Sequence, residues 1–153
     1  MEVPALLAAE IAAPFDRISE VDAAALAARL WGIAPERAVR VDTERDDTFR
    51  VETSDASYAL KIAHPADDPA VIDLQTAAIE WAAEQDPDLP VARPLPSLDG
   101  TMHPVDGGRI ARLFPWMPGQ SLRAALWDAA PDAALLHEIG ATHARLTLSL
   151  IHI

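Results

Sequence analysis

The 153-residue chain is long enough to bury a core yet short for a two-lobed enzyme, and half of its residues are hydrophobic, the balance of a folded protein rather than a disordered one. Its formal charge of −12 repels phosphate backbones and anionic lipid, which argues against nucleic-acid and membrane partners, while the absence of cysteine removes disulfides, thiolate nucleophiles and sulfur-ligated metals. The first residues carry Glu2 and Glu10 and no basic n-region, and no window is long enough to span a bilayer, so the expected setting is a reducing cytoplasm.

Residues 1–17 read as an N-terminal extension. The first predicted element is a helix over 19–31, with Ser19 as N-cap, Glu20 and Asp22 favouring the first turn, and Gly32 after its end. From Arg37 the period changes to two: Val39 and Val41 alternate with Arg40 and Asp42, then Phe49 and Val51 with Arg50 and Glu52, across the polar turn Glu44-Arg45-Asp46-Asp47. A second turn, Ser54-Asp55-Ala56, leads into Tyr58-Ala59-Leu60-Lys61-Ile62-Ala63, which makes three consecutive antiparallel strands the simplest reading. The break His64-Pro65-Ala66-Asp67-Asp68-Pro69 caps a helix over 70–85. Further strands are expected at 91–97 and 109–114, separated by Asp99-Gly100 and Gly107-Gly108 turns. After Pro115-Trp116-Met117-Pro118-Gly119 the chain reads as two helices, 121–127 with Ser121 as N-cap and 131–148. The fold class this predicts is α+β: a five-stranded antiparallel sheet with a packed helix, then the first helices of an incomplete helical lobe.

The strongest chemical signal is on the third strand. Alternation puts Tyr58, Leu60 and Ile62 on one face and Ala59, Lys61 and Ala63 on the other, so a cation sits between two small residues on a surface that accepts a flat ring and a phosphate. Taken alone, such a lysine reads as a solvated strand charge. Three features in the order of a nucleotide kinase change that reading: a polar hairpin at 44–48, an acidic residue in the next helix, and a hinge at 115–119. The hairpin has no Gly-x-Gly-x-x-Gly, so its role rests on position. Phe49 and Val51 are candidates either for roofing adenine or for core packing. Asp73, one turn into its helix, is expected to pair with Lys61; Glu80 shares that face, and only one of the two can reach. His137 and His143 lack the spacing of a zinc-binding helix, no metal site is predicted, and His64 and His103 read as solvated loop residues.

Four runs in order carry a resemblance: Asp46-Asp47-Thr48-Phe49-Arg50-Val51, Tyr58-Ala59-Leu60-Lys61-Ile62, Ile72-Asp73-Leu74-Gln75, and Arg112-Leu113-Phe114-Pro115-Trp116-Met117-Pro118-Gly119. Together, over about residues 18–146, they are similar to the aminoglycoside phosphotransferase superfamily, nearest to its hydroxylysine-kinase-like branch. The resemblance implies a protein-kinase-like fold with an N-lobe at 18–114, a hinge at 115–119 and the start of a helical C-lobe at 120–148. It implies transfer of the γ-phosphate of ATP, with Mg, to a hydroxyl of an amino acid, amine or aminoglycoside. Lys61 would bind phosphates and Asp73, where the family commonly has glutamate, would orient it. Ala59 would admit adenine, and Phe114, Trp116 and Met117 would form the hinge against it. The family's catalytic loop, His-x-Asp with an asparagine five residues later, and the metal-binding aspartate after it match nothing here, so no catalytic or metal residue is assigned in this chain. The expectation is a fragment inactive alone, with 149–153 a foreign tail and a further domain fused or encoded downstream. The alternative is a non-catalytic kinase-like binding module.

Overall fold

The computed structural model describes residues 15–43, 45–126 and 130–150. Glu44, Trp127, the first 14 residues of the extension and residues 151–153 of the tail lie outside the described residues. Helix α1 (Glu20–Trp31) begins where the sequence indicates, with the Ser19 hydroxyl accepting the Asp22 N–H. It ends at Gly32, whose φ of 67° is left-handed and whose N–H returns 3.0 Å to the Ala28 carbonyl. A Cβ there would lie 3.1 Å from a Leu98 methyl, so both conformation and space call for glycine.

Strands β1 (Arg37–Val41), β2 (Asp47–Glu52) and β3 (Ser57–Ile62) form the expected antiparallel meander, and β4 (Val105–Asp106) and β5 (Arg109–Pro115) complete a five-stranded sheet in the order β1-β2-β3-β5-β4. The fourth strand is therefore not at 91–97. There only Leu95 bridges to β5, its N–H 2.7 Å from the Leu113 carbonyl. Pro90, Pro94 and Pro96 remove the N–H groups a ladder needs, a signal that outweighs the apolar character of the stretch.

Helix α2 (Pro69–Gln85) starts at the capping proline, with the Asp68 carboxylate accepting the Ala70 N–H at 2.9 Å. Ser121 caps the short α3 (Leu122–Ala125) as predicted. Helix α4 (Ala133–Leu150) is capped by Asp132 and runs past 148, so Ser149 and Leu150 are helical rather than the start of an irregular tail. The described residues divide into two compact units. The first takes the chain up to Asp73 together with Pro94–Trp116; the second takes Leu74–Arg93 and the chain from Met117. Within the second, the Trp81 indole donates 2.8 Å to the Ser149 carbonyl and Arg145 makes a bidentate pair with Asp86 at 2.7 Å, which pulls the Asp86 carboxyl below its ordinary pKa. No helix among the described residues is long and apolar enough to cross a membrane.

The core belongs to the first unit. Ala23, Leu26, Ala27 and Trp31 of α1 pack with Phe49, Val51, Leu60, Ile62, Ala111 and Leu113 of the sheet. At its rim lies a carboxylate with no solvent exposure, Asp47, bonded by Arg109 at 2.8 Å, by Arg40, and by the Ile18 N–H at 3.4 Å. Arg40 also donates to the Ile18 carbonyl, and Arg109 to those of Ala63 and Ile62, so one acid ties the segment before α1 to three strands. Burial works to raise the Asp47 pKa, but the hydrogen bonds from Arg109, Arg40 and Ile18 outweigh it and hold the carboxyl below the usual range.

Asp47→Asn is expected to lower the unfolding free energy by about 3 kcal/mol, because the arginines lose their partner in an enclosed site. Since the folded pKa is depressed, the Asp47 contribution should be complete above the unfolded value of about 3.9 and lost as pH falls through the folded one. Denaturant melts at neutral and acid pH check both, and the gap between variant and wild type should narrow in acid.

Candidate functional site

The central strand β3 pairs with β2 and β5 so that Thr48, Lys61 and Arg112 stand in one row and Arg50, Ala59 and Phe114 in the next. Directly opposed residues share a face, so these six make one surface, while Phe49, Leu60 and Leu113 point the other way into the core. Lys61 and Ala59 are thus on the same face, as alternation predicts. Phe49 and Val51 are not: both have no exposure and pack against the α1 side. Of the two roles open to them, the structure gives them core packing, and Arg50 and Thr48 occupy the corresponding rows on the Lys61 face.

The charges around Lys61 are linked. Its ammonium lies 3.2 Å from the Asp46 carboxylate and is 38% exposed. Arg45 donates 2.7 Å to Asp67, which also accepts the His64 N–H at 3.1 Å. Burial lowers the pKa of Arg112, with Asp46 and Asp67 opposing the shift, which sets that guanidinium within the field of both acids. Arg45, Lys61 and Arg112 are therefore gathered around Asp46 and Asp67, in a chain whose net charge is strongly negative. Asp73 lies elsewhere: it is 60% exposed and faces His103 at 3.0 Å, so the structure does not bring it to Lys61. Glu80, the other candidate, is bound by Arg93.

At the far end of the face, the Arg50 guanidinium lies 5.0 Å from the Trp116 ring centroid, and the Trp116 N–H donates 3.0 Å to the Ser57 carbonyl. Phe114 is buried, with Arg112 over its ring at 5.8 Å. Met117 falls in the second unit and is 48% exposed. The arrangement offers a small residue, an aromatic wall and the cations Lys61 and Arg112 on one face of the sheet, a surface with the chemistry for a planar ring joined to an anion. The opposite face carries a separate cavity of about 230 Å³ lined in part by Arg29, Asp106 and Arg109. Those charges are already paired, Arg29 with Asp106 at 2.8 Å and Arg109 with Asp47, so it offers an anion less.

Asp46, Arg50 and Arg112 received no role from the sequence, although all stand in the runs quoted above. Counting register outward from the 53–56 turn would have found Arg50 alone: it sets Val51 opposite Tyr58 and so Arg50 opposite Ala59. No group of three or more His, Cys, Asp or Glu suited to a metal occurs among the described residues.

The model of a phosphotransferase enzyme family matches residues 37–150. Among solved structures, the chain resembles an amicoumacin kinase in complex with AMP-PNP, Ca2+ and Ami, at 19% identity and a TM-score of 0.70 over 96% of this chain and 42% of that one. It also resembles spectinomycin phosphotransferase in complex with ADP and spectinomycin, at 13% identity and a TM-score of 0.58 over 67% of this chain and 30% of that one. At these identities the likeness establishes a shared fold, and the chain spans less than half the length of either. A search of curated proteins finds no match.

If Phe49 is core and Arg50 is surface, Phe49→Ala should cost about 3–5 kcal/mol of stability and Arg50→Ala about 1 kcal/mol or less. Equal, small costs in denaturant melts would put Phe49 on an accessible face instead.

Proposed function

The chain belongs to the phosphotransferase enzyme family, and from that premise we propose that it carries the ATP-binding portion of a small-molecule phosphotransferase. The enzyme as a whole would transfer the γ-phosphate of ATP to a hydroxyl of an amino acid, amine or aminoglycoside. The observation that carries the reading is the placement of Lys61 and Arg112 in one row of the sheet, set beside Ala59 and the Phe114 and Trp116 aromatics. In this reading Lys61 and Arg112 attract the phosphates as point and planar cations, which is most of what a kinase fold must do for a nucleotide before transfer. Ala59 leaves room for the base, and the backbone at 114–117 supplies donors and acceptors for its edge.

The described residues fit the nucleotide better than the metal. Mg2+ would come with the phosphates and neutralise the charge that develops on them. With no suitable group of side-chain ligands among the described residues, none of them is given that task. The sequence also contains no His-x-Asp with an asparagine five residues on, so no residue of this chain is given the transfer step. In the same reading 18–114 forms the nucleotide lobe, 115–119 the hinge and 120–148 the first part of the substrate lobe.

A second reading, a kinase-like module that binds a partner without catalysis, gains from one specific observation: Lys61 is held by Asp46 and Asp73 by His103, so the ion pair expected between them is absent. The two readings part on nucleotide binding. Calorimetry with Mg-AMP-PNP should show saturable binding to the wild-type chain, weakened about tenfold or more in Lys61→Ala at unchanged thermal stability. A folded wild-type protein that takes up no nucleotide would favour the binding module.

A further inference from the structure

We propose that Asp46 is a specificity-determining residue of the nucleotide site: its carboxylate takes the position beside Lys61 that a phosphate needs, so the site discriminates against nucleotide not already neutralised by a divalent cation. The inference rests on the nucleotide-binding reading above.

The geometry starts from two adjacent acids sent to opposite faces. Asp47, the first residue of β2, is enclosed and fixed by Arg109 at 2.8 Å and by Arg40. Strand alternation from that fixed point turns Asp46 toward the other side of the sheet. The Asp46 carbonyl accepts the Thr43 hydroxyl at 2.7 Å, which holds the turn from the far side. With the backbone tied before and after it, Asp46 has little freedom to withdraw, and its carboxylate stays 3.2 Å from the Lys61 ammonium while only 18% exposed.

A phosphate that reaches Lys61 therefore meets a carboxylate at contact range in a partly enclosed site. Like charges at that separation repel far more strongly than in bulk water, although solvent at the half-exposed lysine trims the effect. Asp67 adds to the repulsion and is itself largely answered by Arg45. Arg112, buried in the same row, pulls the other way. A divalent cation on the diphosphate cancels part of the charge that Asp46 opposes, so metal-bound nucleotide suffers less. The Asp46 carboxylate then acts as a filter on ligand charge rather than as a simple block.

The test is calorimetric titration of the full chain with ADP, once with excess Mg2+ and once with EDTA, for wild type, Asp46→Asn, Asp46→Ser and Lys61→Ala. Both Asp46 variants should gain about tenfold in affinity for metal-free ADP and change by no more than about twofold for Mg-ADP. No gain with metal-free ADP, or an equal gain with and without Mg2+, in variants that melt like wild type overturns the inference. If wild type binds and Lys61→Ala weakens it while the Asp46 variants behave as wild type, only the role of Asp46 falls. If no folded variant binds ADP in either form, the nucleotide-binding reading falls and takes this one with it.

Discussion

Asp47 is the fixed point of the sheet. A carboxylate with no exposure is tolerable only where cations and N–H groups meet it, and Arg109, Arg40 and the Ile18 N–H do so from three separate parts of the chain. Once that side chain is placed, the period of two along β2 assigns every residue after it. Phe49 and Val51 turn inward to α1, and Thr48 and Arg50 turn out beside Lys61 and Ala59. A slip of one residue in β2 would take Asp47 from its arginines and Phe49 from the core at once, which is why the register is strongly specified here.

The electrostatics of the chain run in two directions. As a whole it is strongly acidic, yet Arg45, Lys61 and Arg112 are gathered at the Lys61 face, with Asp46 and Asp67 among them. Neighbouring charges and burial, not net charge, decide what a site binds. The chain belongs to a phosphotransferase family and shares a fold with an amicoumacin kinase and a spectinomycin phosphotransferase, and a nucleotide is the ligand proposed for that face. In the proposed reading Asp46, 3.2 Å from Lys61, opposes the anion that Lys61 attracts.

Much of the fold was legible in residue order alone. Ser19, Gly32 and Ser121 mark helix boundaries by capping chemistry that depends on a few neighbouring atoms, and each stands where that chemistry requires. The β1–β3 meander followed from alternation between two polar turns. The fourth strand did not, since apolar residues at 91–97 suggested pairing while Pro94 and Pro96 withheld donors, and the two-residue β4 is too short to leave a periodic trace. At the site, the face of Lys61 could be read from β3 by itself. Its neighbours on β2 need the cross-strand register of the 53–56 turn as well, and Arg112 on β5 comes from a pairing that no local turn fixes. The partner of Lys61 was unreadable for the same reason: a helix acid and a turn acid both lie within chain reach, and packing chose the turn.

In the proposed reading the row of Thr48, Lys61 and Arg112 receives the phosphates of a nucleotide. Titrating isotope-labelled protein with Mg-ADP and following backbone amide shifts tests it directly. The shifts should concentrate at residues 45–50, 59–61 and 112–116 and leave the α1 face unmoved. Perturbations centred on α1, or none at all in a folded protein, would contradict it.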